Sequence, residues 1–233
     1  MGVKGFKDGL LEILFPKVCV VCGHSLSVNE NVICVECLSS KFEETIPQGP
    51  VTSEGILLPE GIQFQHALWT FDKGGYLQDL LHQLKYHRIT GVGIDLGRQL
   101  AESLLHNSLF KEFSKEPYLL LPVPLHFRKR RMRGYNQAYY IAKGISDVTG
   151  VDIMPLKSVL RTKNTLTQTG FTLEKRRLNI ENAFNIVDVD AIQDKNILIV
   201  DDVFTTGSTS FELASVLKAS KCDKIGIATV AQA

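Results

Sequence analysis

Residues 197–209 read Ile-Leu-Ile-Val-Asp-Asp-Val-Phe-Thr-Thr-Gly-Ser-Thr, and this stretch decides the fold. Four β-favouring apolar residues in a row predict a strand buried on both faces. Asp201 and Asp202 end the run, and a Thr/Gly/Ser loop and a helical pattern follow. Open α/β sheets bind ligands at the carboxyl ends of their strands. A small-residue loop opening a helix offers N–H groups and hydroxyls to a phosphate. Carboxylates repel phosphate, so the acid pair has another task, most simply holding the vicinal hydroxyls of a sugar. A sugar phosphate is therefore the implied ligand class. A buried strand with an ordinary polar turn would account for Asp-Asp or Thr-Gly alone; the whole run is more specific.

Working outward, strand-like and helical patterns alternate. Strands are predicted at 66–71, 118–123, 151–154, 184–187, 197–203 and 225–230. Helical spacing covers 76–86, through Leu77, Leu80, Leu81 and Leu84. It recurs at 95–113, 136–148 (with Gly150 near the stop) and 210–219. The alternation predicts an α/β fold, a mostly parallel sheet flanked by helices. Residues 1–17 read as a short helix packing on the body, and lack the cleavage site of a signal peptide. Residues 43–61, with Pro47, Gly49, Pro50, Gly55 and Pro59, read as a linker or excursion. The expected boundaries are a helix and cysteine module over 1–45, a linker over 46–62 and the main domain over 63–233.

A net charge of +1 gives no global field toward nucleic acid or membrane, so any such attraction must be local. No apolar stretch reaches the length of a membrane span, and the expected compartment is the cytoplasm.

Cys19, Cys22, Cys34 and Cys37 form two Cys-x2-Cys pairs separated by eleven residues. Two such knuckles place four thiolates around a structural Zn²⁺, and Gly23 allows the tight turn of the first. An iron–sulfur cluster uses the same ligands. A disulfide pairing suits a secreted chain better. His24 reads as a bystander and Cys222 as a small core residue. A module of this size has little core, so the metal would supply much of its folding free energy.

Residues 118–142 again read strand, polar loop, helix. Five of the six residues from Arg128 to Arg133 are basic, which matches phosphate oxygens. A solvated face is the plain alternative. Phe127, Tyr135, Tyr139 and Tyr140 interleave with the cations, as in sites that grip single-stranded nucleic acid. Tyrosines on a helix also pack inward. Residues 161–184 form a long polar segment, read either as a lid over an anionic ligand or as a surface loop.

The 197–209 run resembles the signature of type I phosphoribosyltransferases; it is not a Walker A loop. That resemblance implies a sheet of their kind. It implies that Asp201 and Asp202 hold the ribose hydroxyls of 5-phosphoribosyl-1-pyrophosphate (PRPP) or a related phosphorylated pentose. Thr205, Thr206, Gly207, Ser208 and Thr209 would cradle the 5′-phosphate. His126, Arg128, Arg130, Arg131 and Arg133 stand where that family has its pyrophosphate loop, and Mg²⁺ would accompany PRPP. With the cysteine quartet, Leu84-Lys85-Tyr86, Pro122 to His126, Arg128 to Gln137, Thr167 to Gly170, Arg176-Arg177 with Asn179, Ala183-Phe184, and Val200 to Gly207, the chain resembles the ComF (GntX-like) family. This implies a PRPP-binding protein of DNA uptake that contacts single-stranded DNA and competence-machinery proteins. An active phosphoribosyltransferase of unknown acceptor and a zinc-organised adaptor with a vestigial site are the alternatives. No catalytic residue is identified.

Overall fold

The computed structural model describes residues 16–45, 58–164 and 181–233. Their elements are α1 (Val35–Ser40), β1 (Ile62–Thr70), α2 (Tyr76–Tyr86), α3 (Thr90–His106), α4 (Ser108–Phe113), β2 (Tyr118–Pro122) and α5 (Phe127–Arg133). Next come α6 (Gln137–Thr149), β3 (Val159–Arg161), β4 (Phe184–Ile186), β5 (Asn196–Phe204), α7 (Ser208–Ala219) and β6 (Ile225–Gln232). Most of the expected helix at 1–17, of the linker at 46–62 and of the polar segment at 161–184 lies outside the described residues.

Strands β1, β6, β5 and β2 form one sheet in that order, every pair parallel. The strand expected at 151–154 contributes a single parallel bridge, Ile153 to Leu120. Strands β3 and β4 form a separate antiparallel pair.

Alternation along β5 explains the layers. Leu198 and Val200 point into an apolar cluster shared with Leu77, Leu96 and Ile141 from α2, α3 and α6. Ile197 and Ile199 point into the opposite cluster, with Leu213 and Leu217 of α7. The strand is buried on both faces, as its unbroken apolar run predicts. The molecule is thus the α/β architecture read from the sequence, with the cysteine module joined to it.

The single helix expected at 95–113 is two helices, and the first begins earlier, at Thr90. Asn107 breaks them. Its backbone is extended, and its Oδ1 accepts the N–H groups of Leu109 and Phe110 at 2.9 and 3.0 Å, an N-cap for α4. The new direction seats Phe110 and Phe113 edge-on against Phe64.

Helices α3 and α6 cross at Gly97 and Gly144. A Cβ on Gly144 would overlap the Ile94 carbonyl oxygen and sit 2.9 Å from the Arg98 nitrogen. A Cβ on Gly97 would collide with the backbone of Ile141. Backbone cannot move aside as a flexible side chain can, so the contact requires glycine on both helices.

Helix α3 also carries the cysteine module. The buried Asp95 carboxylate accepts the N–H groups of Val32 and Ile33, both at 3.0 Å, and Asn31 Nδ2 at 3.1 Å. The segment leading into Cys34 is thereby fastened to the body. Trp69 of β1 stacks on Phe42 with ring centroids 4.3 Å apart and closes the other side.

Gly144→Ala should lower stability by about 1–3 kcal/mol through overpacking at this crossing. The check is a lower urea midpoint with an unchanged slope.

Candidate functional site

The acid pair stands where the sheet splits. Strand β2 pairs with β5 only as far as Pro122 opposite Val200. Beyond that point β5 continues beside β6 alone, with Asp201 opposite Thr229 and Phe204 opposite Gln232. The chain after β2 passes to α6 on one face, and the chain after β5 passes to α7 on the other. Neighbouring parallel strands whose connections leave to opposite faces open a crevice at their carboxyl ends, the binding position of open α/β sheets. Asp201 and Asp202 lie at its mouth.

The loop behind them is built for a small anion. Gly207 takes the left-handed conformation at φ +71°, and a Cβ there would lie 2.5 Å from the Phe211 ring. It N-caps α7 without any side-chain bond to the first amides, and that first turn holds no acid. Thr206 Oγ1 and Ser208 Oγ are 2.7 Å apart. Half-buried Thr205, Thr206, Ser208 and Thr209 thus surround a helix start whose amides and dipole favour negative charge.

Because the two acids lie on opposite faces of β5, each has a different environment. Asp202 is buried and forms an ion pair with Lys85 of α2. Burial alone would raise its carboxyl, but the Lys85 ammonium outweighs burial and holds it below the usual range. Lys85 is correspondingly held above its ordinary value, the Asp202 charge overcoming burial. Asp201 goes the other way: burial and then the Asp202 charge push its carboxyl well above the usual range. Arg161 of β3 lies within electrostatic reach of Asp201, and Arg133 within reach of Asp202.

Lys85 and Arg161 were given no role by sequence reasoning. Lys85 had a detectable signal, because it follows Leu81 by one helical turn on the edge of a buried leucine stripe. A cation there needs a partner. Arg161 offered none.

The expected basic loop is a helix, α5, running from Phe127 to Arg133 and ending on left-handed Gly134. Arg128, Arg130 and Arg131 are exposed, while Lys129 and Arg133 are half-buried. Arg133 bonds to Gln137 and lies 5.6 Å above the Tyr86 ring. His126 is an N-cap: its Nδ1 accepts the Arg128 N–H at 3.3 Å. Burial and then the Arg128 charge lower its pKa, so it caps as a neutral ring. Tyr135, Tyr139 and Tyr140 are half-buried and pack edge-on against one another. Phe127, by contrast, is exposed.

The four cysteines form a closed cluster. Their sulfurs lie within 4.8 Å of one another, and none is in a disulfide. Tetrahedral zinc with bonds of about 2.3 Å requires sulfurs roughly 3.8 Å apart. Cys22 and Cys34 stand at 3.7 Å. Val21 and Cys34 donate backbone N–H groups to Cys19 Sγ at 3.4 and 3.3 Å, and Cys37 donates to Cys34 Sγ at 3.4 Å. Burial would raise the Cys19 thiol, yet amide donors led by Cys34 bring it down to about 7. Such a donor set can hold a metal such as zinc. His24 is exposed and outside the cluster. Cys222 is a buried core residue, and burial pushes its thiol up to about 12.

Fold and site define an α/β protein with an acid pair at a sheet's switch point and a four-thiol centre of metal-binding type. Among curated proteins, the DNA utilization protein YhgH of Shigella flexneri is 30% identical over 210 residues, covering 87% of this chain and 91% of that one. Competence protein F of Haemophilus influenzae is 38% identical over 122 residues, 51% of this chain and 52% of that one. The chain belongs to the family of these proteins, the ComF family that its motifs resemble. No family model matches it. A solved hypoxanthine-guanine phosphoribosyltransferase from Schistosoma mansoni, in complex with IMP, covers 60% of the chain and 66% of its own length. Its identity is 15% and its TM-score 0.26, a likeness too loose to argue from.

Lys85→Met should cost about 3 kcal/mol, because it leaves the Asp202 charge buried without its partner. Asp201→Asn should do the reverse at neutral pH. A carboxyl whose folded pKa is raised contributes stability that is complete below the unfolded value near pH ~3.9 and lost as pH rises through the folded one. The Asn variant escapes that loss, so its advantage in urea unfolding should be present at pH 7 and shrink toward pH 4.

Proposed function

We propose that this protein binds PRPP, or a closely related phosphorylated pentose, and serves in DNA uptake. The observation that carries the reading is the acid pair at the switch point together with the uncapped α7 start behind it. Carboxylates accept from vicinal hydroxyls, while backbone amides and side-chain hydroxyls donate to phosphate oxygens. One ligand bearing both groups satisfies both halves. The α5 cations follow the end of β2, and in this reading they would meet the pyrophosphate. Mg²⁺ would accompany that group as its counter-ion.

Lys85 removes the electrostatic objection to a polyanion. It neutralises Asp202, and the raised Asp201 carboxyl resists carrying a second negative charge. The cup is then close to neutral and framed by Arg133 and Arg161.

The four-thiol centre is read as a structural zinc site, since every ligand position is filled by protein. Free thiols and the family's named members support a cytoplasmic protein handling incoming DNA. No helix among the described residues is long and apolar enough to cross a membrane. The exposed cations of α5 support contact with single-stranded DNA, whose affinity comes largely from phosphates.

Calorimetric titration with PRPP and Mg²⁺ should give saturable binding, and Asp201→Asn/Asp202→Asn should weaken it at least about tenfold, given the strength of hydrogen bonds to charged groups. Equal weak heats from both proteins would exclude the cup. Metal analysis should find stoichiometric zinc in the native protein and none in Cys19→Ser/Cys37→Ser. Native protein without zinc would exclude the knuckles.

A further inference from the structure

A cavity of about 380 Å³ opens beside the β2–α5 connection. Pro124, Leu125 and Phe127 line one wall, and Leu156 and Leu160 line the other. Three of these are exposed apolar side chains from three separate segments: Phe127 at 65%, Leu156 at 38% and Leu160 at 43%. Scattered exposed apolar residues need no explanation, but a group of them converging on one cavity marks a binding surface. The volume is at the lower end of small-ligand sites.

Charge selects the occupant. Arg130 and Arg161 belong to the lining, and among the described residues no carboxylate does. Five of the seven residues of α5 are basic, and this helix forms the rim beside Phe127. The wanted group is flat and apolar and carries negative charge immediately next to it. A nucleotide has that combination: a base with a π-face, and phosphates on either side. The Phe127 ring touches the His126 ring at 4.5 Å and lies under the Arg128 guanidinium at 5.8 Å, yet it keeps most of its surface open, whereas Tyr135, Tyr139 and Tyr140 are half-buried and pack edge-on against one another.

We infer that this cavity receives a base of single-stranded DNA, stacked on Phe127, while the α5 cations follow the flanking phosphates. This rests on the reading that the protein contacts such DNA. Of the four aromatics that interleave with the cations, it selects Phe127, at the start of α5, over the three tyrosines. It also places the strand beside the pentose cup, with Arg161 shared between the two.

The experiment measures fluorescence anisotropy with a labelled oligothymidylate and with the same strand made abasic, over a range of salt. Stacking on an aromatic ring contributes about 1–3 kcal/mol per base, so Phe127→Ala should weaken oligothymidylate binding by about tenfold or more. The slope of log affinity against log salt should not change, because no phosphate contact is lost. Abasic DNA should bind the native protein less well by a similar factor, and Phe127→Ala should weaken abasic binding no further. Leu156→Ala, on the opposite wall, should repeat the pattern more mildly. PRPP titration of the same variants should match the native protein. Independent, additive losses from Phe127→Ala and from base removal would overturn the inference. Oligothymidylate binding unaffected by Phe127→Ala would also overturn it, with DNA contact itself intact. No binding of either strand by native protein would overturn DNA contact as well. Binding of native protein to phosphatidylserine vesicles, lost in Phe127→Ala while DNA is ignored, would assign the cavity to a membrane and overturn the inference.

Discussion

Two adjacent carboxylates at the end of a buried strand are an unstable arrangement, and the rest of the site answers to that constraint. Desolvation disfavours both charges, and each disfavours the other. The pleat of β5 gives the first relief, since neighbouring residues point to opposite faces. Asp202 then meets Lys85, brought up by α2 on one face, and Asp201 meets the field of Arg161 from β3 on the other. The partners come from segments far apart in the chain. The acid pair therefore ties the helical layer, the central strand and the β3–β4 ribbon together, and it depends on all three staying in place.

Helix α3 is the second point of dependence. Its glycine contact with α6 lets two backbones meet above the β2–β5 junction, which fixes how the connection after β2 leaves the sheet. The same helix presents Asp95 to the amides before Cys34. A metal held by the four thiols would thus order a segment hydrogen-bonded to a helix that packs against α6. The cysteine module is in this sense part of the scaffold and no free appendage, even though its own core is slight.

What the sequence disclosed and what it withheld divide along one physical line. Strand β5, the loop at Gly207 and the cysteine spacing were legible because their causes are local: an unbroken apolar run, small residues before a helix, and two pairs of thiols. The parallel sheet followed from alternation. Helix α5 was missed because nearly all its residues are charged and offer no apolar period, so a helix and a polar loop look alike there. The break at Asn107 was missed although Asn-Ser is a capping signal, since the leucine spacing runs on across it. Lys85, although part of a quoted family motif, and Arg161 were given no role because their importance lies wholly in tertiary contacts. A cation next to a leucine stripe announces that it needs a partner, but not which one.

The same division bears on function. The 197–209 run would form the proposed cup, whereas Lys85 and Arg161, which would make it usable by a polyanion, lie outside that run. An acid pair without Lys85 would repel any phosphate brought near it, and a Lys85 without Asp202 would be a cation half buried beside apolar side chains. Each is tolerable only with the other, so the pair behaves as one neutral dipolar unit. In the proposed reading that unit would be the floor under a sugar carrying negative charge at both ends: it would hold the uncharged middle and leave the termini to amides and guanidinium groups. The ordering of charge across the crevice, cation, neutral floor, helix dipole, is complete before any ligand arrives, which limits the reorganisation that binding would require.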